Sequence, residues 1–165
     1  MSELVERVDA RDRVLGVVER GEAIRRRWLH RVATSICRDR DGRFLVHRRA
    51  EGLSRFPGHY DVCFGGAVGV GESYEAAAAR ELEEELGVRA EARLLFTYLL
   101  EGRISPYWLG VHEALITGDL DPDPAEVSWL GWMTEAQLRG AVRRWRFVPD
   151  GQEAFARYLA LNAST

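Results

Sequence analysis

The sequence predicts an α/β sandwich, with helices covering a curved mixed sheet. Three observations point there. Short apolar runs of strand length recur along the chain, one Ala/Glu/Leu-rich stretch has helical composition, and a second helical pattern follows near the C-terminal end. At 165 residues the chain has the size of one domain, so 1–165 reads as a single unit with a hairpin extension at 1–28. It is 46% hydrophobic and 30% charged, enough for a sizeable core and a well-solvated surface.

The elements follow in order. From Leu4 to Glu19 two apolar stretches flank Asp9-Ala10-Arg11-Asp12-Arg13, which reads as a short hairpin. Val32 to Arg38 and Phe44 to Arg48 repeat the arrangement across Asp41-Gly42, a stronger hairpin signal. Phe56-Pro57-Gly58 marks a loop, and Tyr60 to Phe64 a strand that enters the glycine-rich turn Gly65 to Gly71. Ser73 to Gly87 has no proline, strong helix formers throughout and a glycine where a helix stops. Leu94 to Leu100 and Trp108 to Ile116 are strands around the turn at Gly102 to Pro106, and Gly118 to Pro124 is a loop. A short strand near Val127 to Trp132 precedes a helix starting at Thr134 to Leu138. Gln152 to Leu161 is a further helix, with Phe155, Tyr158 and Leu159 on one face.

Composition excludes several kinds of chemistry. All 23 basic residues are arginine, so lysine Schiff-base catalysis is ruled out, and so is a P-loop. Cys37 and Cys63 form no C-x-x-C pair and have no histidine cluster beside them, which predicts two buried thiols rather than a zinc site or disulfide. A net charge of −3 gives no support to a broad nucleic-acid surface. Apolar runs such as Trp108 to Val111 are too short to cross a bilayer, and the N-terminal residues lack the order of a signal peptide. A cytoplasmic protein is expected.

The chemistry concentrates between Gly65 and Val88. On a helix Glu81, Glu84 and Glu85 share a face, and Ala79, Leu82 and Leu86 are expected as the apolar stripe. Like charges at that spacing repel, so the set calls for a cation, and carboxylates suit a hard ion such as Mg²⁺. The plain alternative is a solvated acidic face. The glycine-rich turn before the helix, which lets backbone approach a ligand closely, weighs against it.

The same stretch resembles the Nudix box, G-x5-E-x7-R-E-U-x-E-E-x-G-U with U aliphatic. Gly66, Glu72, Arg80, Glu81, Leu82, Glu84, Glu85, Gly87 and Val88 fill its nine fixed places, spanning 66–88. The resemblance implies a Nudix-type α/β/α sandwich and a hydrolase of phosphoanhydride bonds in a small-molecule diphosphate. It implies Mg²⁺, with Mn²⁺ as a substitute, held by Glu81, Glu84, Glu85 and the Gly65 carbonyl. Arg80 would hold the glutamates in place and pair with Glu72. A homodimer is compatible with the family.

Upstream, Arg25 to Arg31 and Gly42 to Arg49, followed by Phe56-Pro57-Gly58, are similar to the isopentenyl-diphosphate-isomerase-like branch. That likeness makes Arg49 the candidate contact for the substrate diphosphate; a strand-end arginine is the alternative. The isomerase itself is a rival reading, but Gly65 and Ala67 stand where it needs a cysteine and a histidine. Tyr107 falls near the place of its later glutamate, and His30, which matches a metal histidine, stands alone. A third reading is a Nudix-fold binding module without catalysis, against which the complete box argues. Glu126 is a further acid candidate or an exposed loop residue. Arg143 to Arg146 offers a weak nucleic-acid site, more simply the edge of a surface helix. His47, His59 and His112 receive no role.

Overall fold

The computed structural model describes residues 3–163. A two-stranded ribbon comes first, β1 (Leu4–Val8) antiparallel to β2 (Val14–Glu19), followed by helix α1 (Arg20–Arg26). Sequence reasoning gave the ribbon and missed α1. Arg25 and Arg26 sit in its last turn, where cations suit the helix dipole.

The main sheet has seven strands. They are β3 (Arg31–Arg38), β4 (Phe44–Arg49), β5 (Tyr60–Asp61), β6 (Cys63–Ala67), β7 (Arg93–Leu100), β8 (Tyr107–Leu115) and β9 (Val127–Met133). Helix α2 (Tyr74–Leu86) follows β6, while α3 (Glu135–Arg144) and α4 (Pro149–Ala163) end the chain. The central strand β3 runs parallel to β8, from Arg31↔Trp108 to Arg38↔Leu115. Its other edge is shared: Val32 to Ile36 pair with β6, and only Arg38 pairs with β4 at Phe44. The hairpin expected across Asp41-Gly42 is therefore closed only at its neck. Farther along, β4 pairs with β9 and β5 instead. The single strand expected at Tyr60 to Phe64 is broken at Val62 into β5 and β6, which serve different neighbours.

Both faces of the sheet are covered. Ile36, Phe44, Val46, Val111, Leu138, Phe155 and Tyr158 form the core beneath α3 and α4. Ala33, Cys37, Leu45, Phe64, Leu82 and Leu86 form the core beneath α2. Neighbours Ile36 and Cys37, or Phe44 and Leu45, fall in opposite cores because side chains alternate across a strand. Helix α2 starts where the Ser73 hydroxyl accepts from the Ala76 N–H at 3.0 Å, and stops at left-handed Gly87. Its buried apolar stripe is Ala77, Ala78, Leu82 and Leu86. Ala79, expected there, is only half-buried, because the stripe lies one position earlier on the first turns. No helix among the described residues is long and apolar enough to cross a membrane.

Candidate active site

The carboxylates of α2 and the backbone of β6 meet in a cleft of about 440 Å³. Gly65, Gly66, Glu81, Glu84, Glu85, Glu126 and Arg49 all line it. Two glycines make the close packing possible. A Cβ at Gly66 would stand 2.5 Å from Glu81 Oε1, and one at Gly65 would overlap the Ala33 carbonyl of the neighbouring strand.

Arg80 organises the near wall. Its Nε and Nη2 donate to Glu72 at 2.8 and 2.9 Å, and Nη1 donates to Glu81 at 3.0 Å and to Glu84 at 3.3 Å. Nη2 also donates to the Ala67 carbonyl at 3.1 Å, while Glu72 accepts the Gly69 N–H at 2.8 Å. The turn, the helix and strand β6 are thereby tied to one guanidinium. Glu84 is mostly exposed, whereas Glu81 and Glu85 are largely covered. Among the described residues the Glu85 carboxyl has no hydrogen bond or ion pair to offset its burial. Burial, then the charges of Glu81 and Glu126, push it well above the ordinary carboxylate range. Burial also raises Glu81, with Arg80 pulling the other way.

Among the described residues no three His, Cys, Asp or Glu side chains are gathered closely enough to cage a metal. Glu81 and Glu84 are turned onto Arg80 instead. The donor set still fits Mg²⁺, which takes one or two carboxylates and completes its shell with water and phosphate oxygens. The buried Glu85 carboxyl, without a hydrogen-bond partner among the described residues, and the close approach of Glu81 to β6 at Gly66 are the features such an ion would use.

The rest of the cleft joins Arg49, Tyr107 and His30, named from the sequence, to residues that local sequence did not single out. Arg20 and Glu3 come from the ribbon and α1, and Arg55 from the loop before β5. Arg49 donates Nε to the Arg55 carbonyl at 3.1 Å. Among the described residues neither Arg49 nor Arg55 has a carboxylate at ion-pair distance. Tyr107 donates its hydroxyl to Asp150 at 2.5 Å, and burial lifts the nearby Asp61 to about 7. His30 is buried with both ring nitrogens unpartnered, and burial lowers it to about 4. Motif spacing could not have found Glu3, Arg20, Arg55, Asp61 and Asp150, because they are brought together from separate segments.

The remaining candidates are accounted for locally. His47 stacks on Phe64 at 4.1 Å and meets the Cys63 carbonyl at 2.8 Å, while His112 meets the Thr34 carbonyl at 2.9 Å. His59 contacts the Pro57 carbonyl at 3.1 Å. Trp145, within the arginine group considered for nucleic acid, is packed against Tyr60 at 4.5 Å and is not free to stack on a base. Cys37 and Cys63 are free thiols, the first buried and the second half-buried.

Comparison with known proteins identifies the family. The NUDIX domain family matches residues 28–157. Over 161 residues the chain is 44% identical to an uncharacterized Nudix hydrolase of Streptomyces coelicolor, covering 96% of this chain and 89% of the relative. It is 38% identical over 146 residues to the isopentenyl-diphosphate Delta-isomerase of Nocardia farcinica, with 82% and 81% covered. The crystal structure of DR0079 from Deinococcus radiodurans superposes with a TM-score of 0.79 at 29% identity, covering 94% of this chain and 98% of that one. Matched in sequence across most of its length and in fold across nearly all of it, this chain belongs to the Nudix hydrolase family.

Proposed function

We propose that the chain is a Mg²⁺-dependent hydrolase of a phosphoanhydride bond in a nucleoside diphosphate derivative or related small diphosphate, working as one domain over 1–165. One observation carries the reading: Glu81, Glu84 and Glu85 share a single cleft with Arg49, whose charge reaches Glu85 without a direct ion pair among the described residues. Glu81, Glu84, Glu85 and the Gly65 carbonyl would hold the metal, with Mn²⁺ able to substitute. A divalent ion held there would neutralise phosphate charge and polarise a water for attack at phosphorus. Arg80, fixed by Glu72, holds Glu81 and Glu84 against β6. Arg49 presents its guanidinium to phosphate oxygens, for which a planar fork is suited. A carboxylate of the same set takes the proton of the attacking water.

The isomerase reading is weakened at one atom. A cysteine at Gly65 would drive its Cβ into the Ala33 carbonyl, so the acid/base group of that chemistry has no room. The test is incubation with Mg²⁺ and a panel of nucleoside diphosphate derivatives, products being identified by mass. Cleavage between phosphates that EDTA abolishes is expected. Binding without turnover across the panel would favour a binding module, and solvent deuterium entering an allylic product from isopentenyl diphosphate would favour the isomerase.

A further inference from the structure

Arg49 links the glutamates of α2 to a second group of polar side chains. Its charge acts on Glu85, and it acts also on Asp61 and Arg55. The charge of Asp150 acts on Asp61 in turn, and Tyr107 donates its hydroxyl to Asp150 at 2.5 Å. The Tyr107 ring lies 6.1 Å from that of His30. One cleft therefore holds the glutamates, Arg49 and this second group. Regular elements fix its members. Tyr107 opens β8, and His30 precedes β3, its carbonyl accepting the Trp108 N–H at 2.9 Å. Asp150 lies in the first turn of α4.

Polar atoms are buried here without partners. His30 is 1% exposed, and among the described residues neither of its ring nitrogens is hydrogen-bonded, nor is the Nε of Arg20. Leaving a buried polar group unpaired is costly, so a partner from protein, water or ligand is the rule. Both signs of charge line this part of the cleft, Arg20 and Arg55 beside Glu3, Asp61 and Asp150. Donors and acceptors mixed in this way suit a neutral group that uses both. A second ion would meet as much repulsion as attraction, and a hydrocarbon chain would satisfy none of them.

We propose that this part of the cleft is a sugar subsite, in which Asp150 and Tyr107 bind hydroxyl groups of a ribose joined to the diphosphate. The inference rests on the hydrolase reading and names what the substrate carries beside the bond that is cut. A carboxylate has about four acceptor sites, so Asp150 takes a hydroxyl proton while keeping Tyr107. The Tyr107 oxygen has lone pairs for a second hydroxyl, and a ring nitrogen of His30 is next to it. Carboxylates serve ribose hydroxyls in the same way in dinucleotide sites. With phosphate held between the glutamates and Arg49, the group attached to it meets this pair.

Turnover of uridine diphosphate, its 2′,3′-dideoxy analogue and geranyl diphosphate with Mg²⁺ tests this, since all three carry a terminal diphosphate. Sites built to bond a hydroxyl reject the analogue lacking it by up to about 10⁴-fold, and the parent should favour uridine diphosphate over each of the others by about tenfold or more in kcat/KM. Asp150→Leu and Tyr107→Phe should each shrink that preference, because each removes a partner of a hydroxyl. Damage to the fold would instead lower all three values and leave their ratios. Equal use of uridine diphosphate and its dideoxy analogue by the parent overturns the proposal, as do ratios that both variants leave unchanged. Where none of the three is cleaved, the hydrolase reading loses its support and calorimetric binding decides the subsite separately. Uridine diphosphate binding more tightly than its dideoxy analogue to the parent, but not to Asp150→Leu, would sustain it, and any other result overturns it.

Discussion

Arg80 of α2 grips Glu72, in the turn that leads into that helix, through two parallel hydrogen bonds, Nε at 2.8 Å and Nη2 at 2.9 Å. The same guanidinium reaches Glu81 and Glu84, so the pair acts as a frame for the carboxylates of the cleft.

Arg80→Ala should therefore loosen the site without removing a proposed ligand. Changes that misorient ligands cost about 10–100-fold in metal affinity or activity. A Mg²⁺ titration of turnover should shift its midpoint upward in the variant. Arg80→Lys should rescue little, since an ammonium cannot reproduce the two-pronged contact. An unchanged midpoint and rate would reduce Arg80 to a surface charge.

Glu85→Gln separates a metal site from an acidic face. Its carboxyl is buried beside Glu81, and burial with the charges of Glu81 and Glu126 outweighs the pull of Arg49, so without metal the variant should be at least as stable as the parent. Relief of the i, i+4 repulsion alone is worth roughly 0.2–0.5 kcal/mol. Activity should fall by about 10²–10⁴-fold, the cost of losing a general base, or further if a ligand goes too. Added Mg²⁺ should raise the melting temperature of the parent by mass action and that of the variant much less. A variant that melts lower in EDTA yet remains active would sink the assignment.

The two adjacent glycines should fail differently. At Gly66 the added methyl meets the end of a flexible side chain, Glu81, whereas at Gly65 it meets backbone of β3. Gly66→Ala should cost most of the activity and little stability. Gly65→Ala should cost about 1–3 kcal/mol, as overpacking of a close strand pair does. Urea melts paired with rate measurements distinguish these outcomes; equal destabilisation by both would contradict the geometry.

Two buried groups should give stability a pH dependence of opposite sign. His30 is lowered to about 4 from 6.5, so the unfolded chain takes up its proton first. As pH falls from 6.5 toward 4 this histidine destabilises the fold, by about 1.4 kcal/mol per pH unit at most. Asp61 is raised to about 7 from 3.8, so its contribution is complete below 3.8 and is lost as pH rises to 7. Relative to the parent, His30→Asn should therefore gain stability on acidification, and Asp61→Asn should gain it as pH rises from 3.8 to 7. Denaturant melts at several pH values check both slopes, and parallel curves for parent and variants would refute the burial argument.

What was legible in the sequence was local. Helix α2 has its cap, composition, stop and charged face within one stretch, so its boundaries and its carboxylates could be placed without knowing the fold. The ribbon, β7, β8, β9 and the start of α3 carried similar local signals. The partition of β3 between β6 and β4 did not, because the residues that choose between two neighbours lie outside either strand. The same holds for the cleft. Arg20, Arg55, Asp61 and Asp150 are unremarkable in their own segments and become a group only when the sheet closes. Glu85 shows the limit most plainly: the helical period gives its direction, but its burial is set by the strands beneath and by the Glu126 loop.

The parallel ladder between β3 and β8 has a kinetic consequence. It joins Arg31 to Trp108 and Arg38 to Leu115, so everything between, including β6, the box turn and α2, is a loop that this pairing must close. Pairings of such separation are slow, because loop entropy is lost before contacts reward it. Helix α2 can form early on its own propensity, yet its glutamates face the cleft only once β6 and β8 lie on either side of β3. Refolding should therefore return helical signal first and catalytic competence last, with the slow step at the arrival of β8.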